Sequence, residues 1–322
     1  TEHEISDSIR NKLARFCNVD TDSVIQSLDV KTIYDVPNHM LSEGLDKVVL
    51  KKLGLKSSKP DLSSWNQFLN KYKHPKRAVR IALIGKYIEL QDSYKSILES
   101  FIHSGAVNEV RVEVIPIHSE HINKDNIAEK LENFNGVLVA PGFGGRGIEG
   151  KIESIKHVRL NNIPFFGICL GMQMAVIEFS RNILKLDDAN STEMDLKTKY
   201  PVIDMMDDQK KIINKGGTMR LGSWECKLKK NSLVSKIYNC DIIYERHRHR
   251  YEFNSEYFKD IEENGMFATG INSDTGLVEI IELKNHPWFV GVQFHPEYKS
   301  TVLSPHPLFV SFIAAATKHS NN

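Results

Sequence analysis

The sequence predicts an α/β fold: a central, mostly parallel β-sheet flanked by helices, with additional antiparallel strands. From residue 79 to residue 184, apolar runs of strand length alternate with segments that are apolar at helical spacing. This alternation is typical of a parallel sheet that helices cover on both faces. From residue 218 to residue 295, strand-like runs follow one another with little helix between them, which predicts the antiparallel part of the fold.

Residues 1–56 have the pattern of a piece of a domain. SDSIRNKLARFCNV predicts a helix with Ser6 as N-cap, SVIQSLDV a short strand, and PNHMLSEGLDKVVLKKLGL one helix with Gly54 near its end. About 55 residues seldom bury enough apolar surface to fold alone. Residues 57–78 are predicted to form an interdomain linker, because this region begins with serine, lysine and proline; SWNQFLNKYK predicts a short helix inside it.

Residues 79–322 then form the main domain. Its first strands are predicted at VRIALIGKY, VRVEVIPI, GVLVAPGFGG and PFFGIC. The helices between and after them are predicted at SYKSILESFIHSGA, DNIAEKLENF, GKIESIKHVRLNN and LGMQMAVIEFSRNIL. The later strands are predicted at MRLGSWECKL, DIIYERH, FATGIN, GLVEIIEL and FVGVQFH.

Composition excludes several classes of protein. The net charge of +1 gives no electrostatic reason to expect binding to nucleic acid or to an anionic membrane. No apolar run reaches the roughly 18–20 residues of a membrane span, and no signal peptide pattern is present. The four cysteines form no C-x-x-C pair, so neither a zinc site nor a redox motif is expected. Four cysteines without a secretory signal favour free thiols in a reducing compartment and predict a cytoplasmic location. The missing initiator methionine suggests a fragment of a longer protein.

A cysteine stands where the strand at PFFGIC passes into the next helix. Cys169 has Gly167 two residues before it and Gly171 two residues after it. Functional groups gather at the carboxyl ends of parallel strands, and a sharp strand-to-helix turn presents its central side chain outward. The helix N-terminus favours a thiolate, and its free N–H groups can stabilise an oxyanion. A buried, inert cysteine is the ordinary alternative for a free thiol.

The segment FVGVQFHPEYKS offers a base for this thiol. The predicted strand ends at His295, Pro296 prevents the strand from continuing, and Glu297 follows. In an extended segment, residues two apart point the same way, so His295 and Glu297 are predicted to form a hydrogen-bonded pair. A nucleophile, a histidine and a carboxylate that orients the histidine form a catalytic triad.

The loop APGFGGRGIEG follows a buried strand and contains Gly142, Gly144, Gly145 and Gly147. Its backbone N–H groups can approach a developing negative charge or cradle a phosphate. It matches neither the P-loop pattern nor a clean dinucleotide fingerprint, so a Rossmann-type nucleotide binder is excluded. Taken alone, the loop is also compatible with an ordinary turn.

The basic run ERHRHRYEF is compatible with a solvated face or with a pocket for an anionic ligand. Strand alternation would place Arg246, Arg248 and Arg250 on one side and His247 and His249 on the other. The two histidines have no evident third ligand in the sequence, so no metal site is predicted.

Several motifs, in this order, resemble class I (triad-type) glutamine amidotransferases, and more closely the glutaminase part of the CTP synthase family. They are GKYIELQDSYKSILESF, GGRGIEGKI, GICLGMQMAVIEFSRN, NSTEMD, GGTMRLG, ERHRHRYEFN and HPWFVGVQFHPEY. Residues 1–56 resemble the end of that family's amidoligase domain. The resemblance therefore implies the class I glutamine amidotransferase fold for residues 79–322 and extends over nearly the whole chain.

The resemblance also implies an activity and its partners. In this family, the glutaminase releases ammonia from L-glutamine, and the amidoligase domain uses ATP and Mg to aminate UTP to CTP. This chain lacks most of that second domain, so it is expected to need no cofactor itself and to act at most as a glutaminase. GTP is the expected allosteric activator, and a homotetramer or filament is expected for the full-length enzyme. No nucleic acid or membrane partner is expected.

Roles for individual residues follow from their positions in the matching motifs. The implied catalytic residues are Cys169, His295 and Glu297, with the backbone N–H groups of Gly142 and Leu170 as the oxyanion hole. The implied glutamine-binding residues are Gly171, Met172, Gln173, Glu193 and Arg250. The implied GTP residues are Phe143, Arg146, Glu149, Thr218 and Arg220. One departure is that the family usually has Pro-Gly-Gly-Phe-Gly where this chain has Ala140-Pro141-Gly142-Phe143-Gly144. Since Pro141 has no N–H, Gly142 supplies the donor.

Two other functions remain open from the sequence. A different glutamine- or γ-glutamyl-hydrolysing enzyme of the same fold would use the same triad without needing residues 1–56. A catalytically silent regulatory or assembly module would keep the fold, although the intact Cys169, His295 and Glu297 argue against it.

Overall fold

The computed structural model describes residues 1–56, 58–205 and 219–320. The chain divides into two compact units, Thr1–Lys73 and His74–Asn322. Among the described residues, no helix combines the length and the apolar character needed to cross a bilayer.

The first unit is helical. Its helices are α1 (Asp7–Cys17), α2 (Val36–Ser42), α3 (Leu45–Lys52) and α4 (Ser63–Lys73). The side chain of Ser6 accepts a hydrogen bond from the N–H of Ile9, which confirms the predicted N-cap. The helix predicted inside the linker is also present as α4, and it packs on this unit: the ring centroids of Tyr34 and Phe68 are 5.0 Å apart.

Two predictions for this unit are wrong. The predicted strand SVIQSLDV is instead a short 3-10 turn, Thr21–Ser23, followed by irregular chain. The backbone N–H groups of Gln26 and Leu28 bond to the side chains of Glu43 and His39, so they are not available to a neighbouring strand. The single helix predicted from residue 37 is two helices, because Gly44 between α2 and α3 has φ of +76°.

The second unit contains the sheets. Its first strands are β1 (Arg77–Gly85), β2 (Val110–His118), β3 (Gly136–Val139), β4 (Phe165–Ile168), β5 (Ala189–Ser191) and β6 (Tyr200–Met205). The later strands are β7 (Arg220–Leu228), β8 (Ile242–His249), β9 (Tyr251–Phe253), β10 (Met266–Ile271), β11 (Val278–Leu283) and β12 (Phe289–Val292). Its helices are α5 (Lys95–Asn108), α6 (Ile127–Leu131), α7 (Ile148–Leu160), α8 (Leu170–Asn182), α9 (Leu233–Tyr238), α10 (Phe258–Glu263) and α11 (Pro307–His319).

Nine of these strands form one sheet in the order β2-β1-β3-β4-β12-β11-β10-β7-β8. The strands from β2 to β12 in this order are parallel, and those from β11 to β8 are antiparallel to their neighbours. The predicted fold class is therefore confirmed. Two features of the fold were not predicted: the small second sheet, β5-β6-β9, and helix α11.

Helices bury both faces of the parallel strands. Side chains of β1 alternate: Ala82 and Ile84 join the core under α7 and α8, whereas Ile81 and Leu83 join the core under α5 and α11. This is the burial expected of a parallel sheet inside an α/β domain. The arrangement places the carboxyl ends of β3 and β4, and the chain just after β12, at one edge of the sheet.

Candidate active site

Cys169 lies at a strained turn between β4 and α8. It has φ of +52° and ψ of −103°, a conformation that non-glycine residues seldom adopt. The backbone N–H of Cys169 donates to the carbonyl oxygen of Val292 at 2.7 Å, which ties the turn to the end of β12. Strain of this kind persists only where the surrounding structure holds it, and it is characteristic of functional sites.

The two flanking glycines are required by close backbone contact. A Cβ atom on Gly171 would lie 2.3 Å from the carbonyl oxygen of Val139, and one on Gly167 would lie 2.8 Å from the carbonyl carbon of Gly171. These distances are too short for a real Cβ. The glycines therefore allow α8 to start directly against β3 and β4, with Cys169 at its N-terminus.

His295 and Glu297 form the predicted pair. Nδ1 of His295 is 2.8 Å from Oε1 of Glu297, and both side chains are buried. The backbone that joins them differs from the prediction, because β12 ends at Val292 and Pro296–Tyr298 form a 3-10 turn rather than an extended segment. The turn, and not strand alternation, brings the carboxylate to the imidazole.

The surroundings of His295 favour its protonated form. Burial by itself lowers the pKa of the imidazole, but Cys169 and Glu297 oppose this effect and raise the pKa well above its ordinary value. Nε2, the ring nitrogen that does not bind Glu297, has no hydrogen-bond partner of normal geometry among the described residues. The imidazole of His295 is therefore oriented from one side by a carboxylate, as the triad prediction requires.

The glycine loop after β3 is held by two lysines that the sequence analysis did not single out. Nζ of Lys86 donates to the carbonyl oxygens of Phe143 and Gly144, the latter at 3.1 Å. Nζ of Lys151 donates to the carbonyl oxygen of Ala140 at 2.9 Å, and this lysine has no exposed surface. A signal for Lys151 exists in the sequence, because it stands next to Ile152 and three residues after Ile148, on the apolar face of α7.

The two predicted oxyanion-hole residues are neighbours. A Cβ atom added to Gly142 would lie 3.5 Å from Cδ2 of Leu170, so the glycine loop rests against the first residue of α8. Gly142 and Leu170 belong to separate segments, and the pairing of β3 with β4 brings these segments together.

The predicted glutamine-binding residues come from three parts of the second unit. Gly171, Met172 and Gln173 are in the first turn of α8, Glu193 follows β5, and Arg250 lies between β8 and β9. Oε1 of Glu193 accepts a hydrogen bond from the N–H of Gly144 at 2.7 Å. Burial raises the pKa of Tyr251, and the nearby Glu193 and Arg250 act on it in opposite directions. The structure thus brings an anion, a cation and the helix that follows Cys169 to one region.

The predicted GTP residues do not form one cluster among those described. Phe143 and Arg146 are exposed on the glycine loop, and the guanidinium of Arg248 lies 6.0 Å from the ring centre of Phe143. Glu149 is exposed and pairs with Arg181 at 3.1 Å. Arg220 is buried and binds Glu279 at 2.6 Å. Thr218 lies outside the described residues.

Within β8 the basic run alternates as predicted, with Arg246 and Arg248 exposed and His247 and His249 buried. Arg250, predicted on the side of the two arginines, lies after the end of the strand and is partly buried. No third ligand beside the two histidines was expected from the sequence, and the structure corrects this. Their ligating atoms and those of Glu279 all lie within 4.8 Å of one another. However, the guanidinium of Arg220 already binds Glu279, so a protein cation occupies the place beside this carboxylate that a metal ion would take.

Hydrogen bonds between protein groups account for the close approach of His247, His249 and Glu279 without a metal ion. The carbonyl oxygen of Tyr251 can only accept, so Nδ1 of His249 donates to it at 3.2 Å, and Nε2 of His249 then accepts from Nδ1 of His247 at 2.9 Å. Nε2 of His247, 3.4 Å from Oε2 of Glu279, is thereby an acceptor. A proton on Glu279 suits this position, and burial raises the pKa of Glu279 to about 7 although Arg220 lowers it.

Comparisons with known proteins agree with this geometry. A family model described as glutamine amidotransferase class-I matches residues 89–315, and one described as CTP synthase N-terminus matches residues 1–55. A CTP synthase of Christiangramia forsetii is 67% identical over 99% of this chain and 59% of its own length. A CTP synthase of Flavobacterium psychrophilum is 65% identical over 100% of this chain and 60% of its own length. The chain thus spans about 60% of the length of these relatives.

A solved structure is also similar. The glutaminase domain of Trypanosoma brucei CTPS with bound acivicin superposes with a TM-score of 0.70 and 40% identity, covering 74% of this chain and 94% of that domain. Because the amidotransferase model covers more than half of the chain and includes the turn, the loop and the histidine described above, the chain belongs to the class-I glutamine amidotransferase family, among the glutaminase domains of CTP synthases.

Proposed function

We propose that this chain hydrolyses L-glutamine to glutamate and ammonia through a thioester on Cys169. The observation that carries this proposal is the strained turn of Cys169 next to a histidine that is oriented by a buried carboxylate. A thiol at a helix N-terminus beside an imidazolium is poised as a thiolate nucleophile.

In the proposed reaction, the sulfur of Cys169 attacks the side-chain amide carbon of glutamine. The N–H groups of Gly142 and Leu170 stabilise the oxyanion, which the closeness of Gly142 to the side chain of Leu170 supports. His295 donates its proton to the leaving nitrogen, and ammonia departs. His295 then removes a proton from water, which attacks the thioester and releases glutamate and the free thiol. Glu297 keeps the imidazole oriented throughout.

We assign the ends of the substrate to charged groups of opposite sign. Arg250 suits the α-carboxylate because a guanidinium binds a carboxylate through two parallel hydrogen bonds. Glu193 suits the α-amino group. Gly171, Met172 and Gln173 lie beside the nucleophile in the first turn of α8 and would line the pocket.

We further propose that the chain is the glutaminase part of a CTP synthase, in which the ammonia aminates UTP at the expense of ATP. Residues 1–56 would be the end of the amidoligase domain, residues 57–78 the linker, and residues 79–322 the glutaminase domain. The identity to two CTP synthases supports this, as does the exposure of Phe16, which is 89% accessible on an apolar helix face.

The remaining partners are proposals of the same kind. ATP and Mg would bind in the amidoligase domain, and the enzyme would be a cytoplasmic homotetramer that is able to form filaments. GTP would activate it through residues that include Phe143, Arg146, Glu149, Thr218 and Arg220. The exposure of Phe143 and Arg146 on the loop next to the candidate site makes them the best supported of these residues.

The test is ammonia release from glutamine together with labelling by a glutamine-analogue chloroketone and peptide mapping. We expect a single adduct on Cys169, blocked by excess glutamine, and loss of ammonia release in Cys169→Ser. Cys240→Ser, at an exposed thiol, is the matched control and should keep full activity. Undiminished ammonia release by Cys169→Ser would refute the mechanism.

A further inference from the structure

A chain of three hydrogen bonds ends on the sulfur of Cys169. Nε2 of Gln173 donates to the carbonyl oxygen of Tyr251 at 2.8 Å and to Oε1 of Gln293 at 3.1 Å. Nε2 of Gln293 then lies 3.6 Å from Sγ of Cys169. The side chains of Gln173 and Gln293 are both buried, so water does not compete for these contacts.

The first acceptor, the carbonyl oxygen of Tyr251, determines which group donates and which accepts in every one of these three hydrogen bonds. A carbonyl oxygen cannot donate, so the amide nitrogen of Gln173, and not its oxygen, faces Tyr251. That nitrogen also faces Gln293, which must therefore present its oxygen. The remaining end of the Gln293 side chain, its NH₂ group, is thereby directed at the sulfur of Cys169. A glutamine turned the other way would place two donors against each other at one end and an oxygen against the sulfur at the other.

The backbone also holds Gln293 in place. Its N–H donates to the carbonyl oxygen of Glu279 at 2.8 Å, which continues the pairing of β12 with β11 by one residue. The charged and titratable groups that act on or near Cys169 are His295 after β12, with Glu297 behind it, and Lys151 from α7. Gln293 adds a neutral donor to this set.

We propose that Gln293 is a further catalytic residue, whose side-chain N–H stabilises the thiolate of Cys169 and whose orientation is set by Gln173 and Tyr251. A hydrogen bond to the charged form of an acid favours that form, so this donor increases the fraction of reactive thiolate. The inference rests on the proposed function only in taking Cys169 as the nucleophile.

The test measures the alkylation rate of Cys169 by iodoacetamide against pH, with peptide mapping to separate it from the other three cysteines. Gln293→Met keeps the length of the side chain and removes the donor. We expect the midpoint of its pH–rate curve to rise by about one pH unit and its rate at pH values below the wild-type midpoint to fall about tenfold. Phe294→Leu, at the adjacent buried residue, keeps the donor and should retain the wild-type midpoint.

Each outcome decides the proposal. A folded Gln293→Met with the wild-type midpoint overturns it, and so does an equal rise of the midpoint in Phe294→Leu, since a structural disturbance would then be the cause. If circular dichroism shows that Gln293→Met is unfolded, Gln293→Asn takes its place, because its shorter side chain withdraws the amide from the sulfur. Alkylation needs no glutamine. If the wild-type chain released no ammonia from glutamine and Gln293→Met still had a raised midpoint, the contact would be supported and the proposed function refuted.

Discussion

The side chain of Lys151 is fully buried, and replacing this residue should make the protein more stable at pH 6 while making it a poorer enzyme. Burial lowers the pKa of Lys151 from 10.5 to about 7, an effect that the nearby Lys86 reinforces and Cys169 opposes. A lysine that binds its proton this much more weakly in the folded state destabilises the fold wherever the unfolded chain keeps that proton.

The magnitude follows from the two pKa values. The difference between 10.5 and about 7 corresponds to about 5 kcal/mol, at about 1.4 kcal/mol for each tenfold change in proton affinity. Lys151→Met removes this penalty but leaves the carbonyl oxygen of Ala140 without its donor, which costs about 1–3 kcal/mol. We therefore expect the variant to be more stable than the wild type by about 2–4 kcal/mol at pH 6.

The advantage of Lys151→Met should shrink as pH rises. Between a pH of about 7 and 10.5 the unfolded chain carries a proton on Lys151 that the folded chain lacks. The stability of the wild type therefore rises in this window, by about 1.4 kcal/mol per pH unit from this group. The variant lacks this contribution, so the two stabilities should converge towards pH 10.

Urea unfolding followed by far-UV circular dichroism at pH 6, 7.5 and 9 measures both effects. Lys156→Met, at a partly exposed lysine of the same helix, is the control and should leave both stability and its pH dependence nearly unchanged. Ammonia release by Lys151→Met should fall, because the chain before Gly142 loses its anchor. A variant that is less stable than the wild type at pH 6, or that keeps the wild-type pH dependence, would refute the reasoning.

Three further changes test the site and its surroundings. Glu297→Gln removes the charge that helps to raise the pKa of His295, so kcat for glutamine hydrolysis should fall about 10²–10⁴-fold; a wild-type kcat would contradict the triad. Gly171→Ala would place a Cβ 2.3 Å from a backbone oxygen and should lower stability by about 1–3 kcal/mol, whereas Gly145→Ala, with nothing within 4 Å, should be neutral; equal Tm values would count against the contact. Burial raises the pKa of Glu279 from 4.5 to about 7 although Arg220 opposes this. Between these two pH values only the folded state keeps the proton on Glu279, so this group's contribution to stability is lost as pH rises from 4.5 to about 7. The wild-type Tm should therefore fall more than that of Glu279→Gln between pH 5 and pH 7.

Much of the candidate site could be predicted because its signals are local. Cys169 with its two glycines occupies five consecutive residues, and His295 and Glu297 are two residues apart. The route between His295 and Glu297 could not be predicted, since the geometry of Pro296–Tyr298 depends on how the chain packs after β12 ends. The strand predicted at SVIQSLDV failed for a similar reason: the side chains of Glu43 and His39 bind its N–H groups, and no local pattern indicates that.

By itself, the sequence determined the α/β class, the order of the main strands and helices, and the three candidate catalytic residues, because hydrophobic period and short motifs are properties of neighbouring residues. Only the tertiary structure decided that Gln293 faces Cys169, that Lys151 supports the glycine loop, and that Arg220 is buried against Glu279. These contacts join segments that are distant in the chain and adjacent in space. Their strength depends on burial and on the charges around them, which exist only once the sheet has formed.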